Sequence, residues 1–154
     1  MQLNYEMLLR ESDSHNLIIK EKPLIYNDGR IKGNRIAIRK SIDTSTEKAC
    51  VLAEELGHFH TTVGDILDQS KTENRKQEIR ARAWAYDRLV NLHGIIKAYE
   101  NKCSSFHEMA EFLDVTEDFL TEALDFYKGK YGISAVIDNY VIYFEPCLGV
   151  LKMV

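Results

Sequence analysis

Apolar residues recur along this chain with two different periods, and the switches between them divide it into elements. Leu3 to about Ser14 predicts a short helix, with Leu3, Met7 and Leu8 on one side. A β-like stretch follows. Leu17-Ile18-Ile19 is a short apolar run, and Leu24-Ile25-Tyr26 leads into Asn27-Asp28-Gly29, an Asp-Gly pair that predicts a hairpin turn. Arg35-Ile36-Ala37-Ile38-Arg39 alternates as a half-buried strand does. Thr44-Ser45-Thr46-Glu47 predicts a capping box opening a helix that runs through Lys48 to about His60 and stops over Thr61-Thr62-Val63-Gly64-Asp65.

The polar stretch Asp68 to Asn74 predicts a loop, and a long helix is expected from about Arg75 to Glu100, with Gly94 its weak point. Ser105-Phe106-His107-Glu108 is a second capping box, for a short helix ending near Asp114-Val115. Thr116-Glu117-Asp118 caps another running to Lys128, so the two helices resemble a helix-turn-helix unit. Tyr140 to Phe144, then Pro146 and Gly149-Val150-Leu151, predict a closing β-hairpin. The pattern gives an α+β fold: a core over residues 1–102, with a helix pair and hairpin over 103–154 packed on it.

With 154 residues the chain is long enough for a single hydrophobic core. A net charge of −4 gives no global field toward nucleic acid or acidic membranes. The N-terminal residues lack the basic start and apolar run of a signal peptide, and no apolar segment approaches the ~20 residues that span a bilayer. Cys50, Cys103 and Cys147 are odd in number and widely spaced, which fits a reducing cytoplasm better than a disulfide framework or a thiolate zinc site.

The charge is unevenly placed. Lys20 to Lys40 holds seven Lys/Arg against Glu21 and Asp28, read here as a basic edge strand that deters aggregation rather than as an anion site. Glu108 to Asp125 holds seven carboxylates and no Lys or Arg, so the helix pair would repel DNA phosphates. A solvated acidic surface and a dock for a basic protein account for it equally.

The chemistry concentrates in Ala53-Glu54-Glu55-Leu56-Gly57-His58. Glu54 and His58 are four apart and share one helical face, while Glu55 is offset by about 100°. Two metal ligands and a base beside a metal's water require this placement, as in the H-E-x-x-H helix of zinc peptidases, but Glu54 stands where the first histidine would. Cys50 lies one turn earlier and reads as a buried thiol, and Leu52 and Leu56 mark the core-facing stripe. His60 is about 200° round from His58 and is a poor ligand. A third ligand has to come from another element, and Glu78 is the best placed. Glu78, Ala81 and Ala85 share a face whose alanines admit a neighbouring helix, with Trp84 as a packing anchor elsewhere. The bland readings are solvated carboxylates at Glu54 and Glu55 and an i+4 pair of Glu78 with Arg82.

Glu55-Leu56-Gly57-His58, followed by Glu78-x-x-Ala81-x-x-Trp84-Ala85, resembles the ImmA/IrrE family of metallo-endopeptidases. There a histidine-glutamate-x-x-histidine helix precedes one of the form E-x-x-A-x-x-F-A. The resemblance covers about Asp28 to Val90, and the short length resembles the phage and mobile-element branch. It implies a zincin-like core, with a small sheet packed on an active-site helix and a long second helix. It also implies a cytoplasmic, zinc-dependent endopeptidase that cleaves the element's own helix-turn-helix repressor. Carried over by position, Glu55 is general base and acid, and His58 and Glu78 are zinc ligands, with Glu54 in the first histidine's place. A Glu/His/Glu set is more anionic and prefers zinc less strongly over oxygen-seeking ions such as manganese. The alternative is a non-catalytic antirepressor of the same fold that binds its repressor stoichiometrically. A DNA-binding regulator is disfavoured by the acidic helix pair.

Overall fold

The computed structural model describes residues 3–62 and 71–154. In chain order these form α1 (Asn4–Ser14), β1 (Ile18–Lys22), β2 (Gly29–Lys32), β3 (Arg35–Arg39), α2 (Ser45–Thr61) and α3 (Lys71–Leu89). Then follow α4 (Leu92–Glu100), α5 (Phe106–Leu113), α6 (Glu117–Tyr131), β4 (Ser134–Ile137), β5 (Tyr140–Tyr143) and β6 (Gly149–Lys152). The architecture is mixed α+β with two small sheets.

The first sheet has the order β1-β3-β2, with β1 parallel and β2 antiparallel to β3. The basic strand Arg35–Arg39 is therefore central, not an edge as its charges suggested. Its Ile36 and Ile38 are 1% and 0% exposed and face the core. The expected turn at Asp28-Gly29 also moves. The hairpin reverses four residues on, at Gly33-Asn34, where Gly33 takes φ +61°. Asp28 sits at the entry to β2 instead, its carbonyl accepting from the Arg39 amide and its carboxylate 3.4 Å from the Arg39 guanidinium. Leu24-Ile25-Tyr26 is not a strand. The Arg39 guanidinium donates to the carbonyls of Ile25 and Asn27, tying this loop across the end of the sheet.

α2 packs on the inner face of this sheet and on α3. It begins as its sequence predicts, with the Thr44 side chain accepting from the Glu47 amide. Ala49, Leu52, Ala53 and Leu56 are fully buried. The end of the predicted stop at 61–65, and residues 68–70 of the predicted loop, lie outside the described residues. Lys71 to Asn74 are helical, extending α3 backward.

The expected helix over 75–100 is two helices, and the break falls at Val90-Asn91 rather than Gly94. Asn91 is the reason: its side chain accepts from the Gly94 amide at 2.6 Å and caps α4. Tyr127 of α6 holds the corner by donating to the Val90 carbonyl at 2.7 Å. α5 and α6 start at their predicted caps, Ser105 and Thr116. The closing hairpin is β5 and β6, to which β4 adds a third antiparallel strand that its short Ser-Ala-Val-Ile run did not signal. One buried cluster runs from Leu8 through α2, α3 and α6 to Phe144. Among the described residues no helix is long and apolar enough to cross a membrane.

Candidate active site

The motif residues meet because α2 and α3 approach backbone to backbone. Gly57 lies against the carbonyl of Ala81, in a space where a Cβ would overlap it. Ala81 and Ala85 are themselves fully buried, so the small-residue stripe faces α2. One turn before Ala81, Glu78 comes to His58: its Oε1 lies 3.2 Å from His58 Nε2. Both keep access to solvent, with side-chain exposures of 23% for His58 and 53% for Glu78.

Glu55 lies on the side of α2 that faces β2. Its carboxylate oxygen would stand 2.9 Å from a Cβ on Gly29, so a side chain at position 29 would displace the Glu55 carboxylate from where it lies. β2 is an edge strand of the described sheet, and Glu55 lies against its inner face at Gly29, which pairs with the inward-facing Ile38. Burial, followed by the charges of Glu54 and Glu78, pushes the Glu55 carboxyl up to about 7. Glu54 is also held above the ordinary carboxylate range, chiefly by burial and against the nearby positive charge of Arg82. Glu122 and Glu78 push it the same way as burial.

Three mutually repelling carboxylates beside one imidazole leave excess negative charge in a partly dry site, an arrangement that a divalent cation would relieve. Imidazole and carboxylate are both zinc donors. In charge and chemistry the set Glu54, His58 and Glu78 fits such an ion. Only His58 and Glu78 are already in contact, and among the described residues no group of three His, Cys, Asp or Glu closes to metal-holding distance.

Other residues take different places. His60 turns away from His58 and stacks on Trp84, with ring centroids 4.7 Å apart, and also meets His15. Trp84 is thus a packing anchor. Cys50 is 7% exposed, and burial pushes its thiol up to about 12, so it is an inert core residue. Residue-by-residue reading missed Tyr86 and Glu122. The Tyr86 hydroxyl donates to Glu122 Oε2 at 3.1 Å, and the Glu122 charge acts on Glu54. Glu122 lies 44 positions after Glu78 on α6, and no local spacing could have brought it here.

A family model described as the IrrE N-terminal-like domain, peptidase family M78, matches residues 9–125. The chain belongs to this metallopeptidase family. No curated protein and no solved structure matches it. The family implies a metal, typically zinc.

Proposed function

We infer that this chain is an endopeptidase of a phage or mobile element that cleaves a helix-turn-helix repressor. In this reading Glu54, His58 and Glu78 would hold a divalent ion, zinc in the first instance. The observation that carries it is the meeting of His58 and Glu78 at 3.2 Å, with the Glu55 carboxyl nearby and against Gly29 of the edge strand β2.

Bound there, such an ion would supply Lewis acidity toward a peptide carbonyl and toward water. The free edge of β2 would align an extended substrate by main-chain hydrogen bonds, with the scissile bond opposite Gly29 and Glu55. Glu55, with its carboxyl poised near 7, would take a proton from the attacking water and return it to the leaving amine nitrogen. Exposed Asp118 and Asp125 on α6 suit a basic repressor surface, such as its DNA-binding face. Cys50, Cys103 and Cys147 are all free thiols, in keeping with work in a reducing cytoplasm.

A second reading, a non-catalytic antirepressor that binds its partner stoichiometrically, is favoured by one feature. Glu54 faces the positive charge of Arg82, which already answers part of its charge without a metal. Metal analysis of the purified protein, with co-expression of the neighbouring repressor, separates the two. Bound metal and repressor cleavage abolished by Glu55→Gln supports the peptidase. A stable complex unaffected by Glu55→Gln, with no cleavage and no metal, supports the binder.

A further inference from the structure

The sheet formed by β1, β3 and β2 has a second face, turned away from α2, and alternation places a set of cations on it. Ile36 and Ile38 of β3 point inward, so Arg35 and Ala37 point outward. The pairing register then puts Lys20 and Arg30 on either side of Ala37, and Lys32 beside Arg35. Lys22 continues the β1 row. Together they line a groove of about 390 Å³.

Lys20, Lys22, Arg30, Lys32 and Arg35 are all exposed, and none has a carboxylate within ion-pair distance among the described residues. The two acids of this region are used elsewhere. Glu21 points to the other face and pairs with Lys48, and Asp28 pairs with Arg39. Five unanswered positive charges on one side of a chain with net charge −4 make a local field opposite in sign to that of the whole molecule.

The shape narrows the occupant. The floor is aliphatic, formed by Ala37 with Ile18 and Leu24 at its margins, and no aromatic side chain among the described residues lines the groove. Single-stranded nucleic acid gains much of its affinity by stacking bases on aromatic rings, which this floor does not offer. The walls, β1 and β2, lie two strand spacings apart, about 9.6 Å, enough for one extended chain over the small Ala37. Within each wall the cations are two residues apart, roughly 6.7 Å, which is also the repeat of alternate side chains in an extended peptide.

We propose that this outer sheet face binds an extended acidic peptide segment of a protein partner, with carboxylates toward the two cationic walls and an aliphatic side chain over Ala37. The groove lies on the opposite face of the sheet from Glu55, and its binding needs neither metal nor cleavage. It would hold a partner by a segment distinct from any that reaches the candidate active site.

The test is fluorescence anisotropy of the full chain with a short labelled peptide in which glutamates alternate around a central leucine. An oligothymidine of similar length serves as competitor. Binding should weaken with salt and fall by about tenfold or more in Lys20→Glu/Arg30→Glu, while Lys97→Glu, far from the groove, leaves it unchanged. Should the double reversal unfold by circular dichroism, the neutral pair Lys22→Ser/Lys32→Ser carries the comparison. Peptide binding that ignores these substitutions, or none to the folded wild-type chain, overturns the proposal. Tighter binding of the oligothymidine than of the peptide overturns it in favour of a nucleic-acid site.

Discussion

Gly57 and Ala81 touch through their backbones: a Cβ on Gly57 would stand 2.8 Å from the Ala81 carbonyl carbon and closer still to its oxygen. Neither partner is a flexible side chain end, so Gly57→Ala must push α2 and α3 apart. Overpacking of this kind costs about 1–3 kcal/mol, and the rigid backbone contact places it at the upper end. Denaturant unfolding should show that loss despite alanine's better helix propensity. Gly129, inside α6 with no described atom beyond its own stretch of helix within 4 Å of its would-be Cβ, is the control. Gly129→Ala should stabilise by about 0.5–1 kcal/mol.

This contact also shows what could be read from sequence. The stripe Glu78-Ala81-Ala85 announced a close helix, and the local signals Thr44, Ser105 and Thr116 placed three helix starts correctly, because caps act within one turn. Strand order was not legible. Nothing local told that β3 would be inserted between β1 and β2, so a strand flanked by arginines passed for an edge. Asn91 was passed over because the helix-favouring residues on both sides outweigh one cap in a propensity reading. The site was legible as far as α2 and α3 carry it. Arg82 and Glu122 belong to the electrostatics of Glu54 through tertiary packing, which a spacing argument cannot reach.

Asp114 illustrates the same limit and gives a second prediction. Counted by sequence among the surface acids of the helix pair, it ends α5 in the left-handed region at φ 55°. Its carboxylate accepts from the Asn4 amide at 2.8 Å and from the Thr46 hydroxyl at 2.7 Å. It thus caps α1, which has no side-chain cap of its own, and ties it to α2. Asp114→Ala loses both bonds and puts a Cβ-bearing residue without a local polar partner in that conformation. Unfolding should show a cost of about 2–4 kcal/mol. Asp114→Asn tolerates the same backbone and keeps an acceptor oxygen, so it should lose clearly less.

The raised carboxyl of Glu55 gives the metal-free protein a defined pH response. Its ordinary value is 4.5 and the folded one is about 7, so the folded state favours the protonated form. That contribution is fully present below 4.5 and is lost as pH rises through 7. The charged groups that act on Glu55 are Glu54 and Glu78, and the two carboxylates add to the penalty when all are ionised. In the presence of a chelator, Tm should fall by several degrees between pH 5 and pH 7.5, flanking this titration. Glu55→Gln, which cannot ionise, should make the curve shallower, leaving the part that the raised carboxyl of Glu54 contributes. An unchanged slope in that variant would show that the Glu55 carboxyl is not the group responsible.

Glu54 stands beside Arg82, and its carboxylate both repels Glu55 and Glu78 and is drawn to that guanidinium. Glu54→His would remove one negative charge from the cluster and place a second imidazole one turn from His58. Zinc binds imidazole in preference to a competing hard ion, whereas carboxylates discriminate less. Competition against a chromophoric chelator should therefore show zinc bound about tenfold or more tightly by Glu54→His than by the wild-type chain. Manganese should gain little, so the ratio of the two affinities rises. Glu54→Gln, which lowers the charge without adding an imidazole, distinguishes the two causes. If it tightens zinc as much as Glu54→His does, charge relief alone sets the affinity and Glu54 is not a ligand. If it weakens zinc while Glu54→His strengthens it, the side chain at position 54 contributes a donor, and the wild-type carboxylate is the weaker version of it.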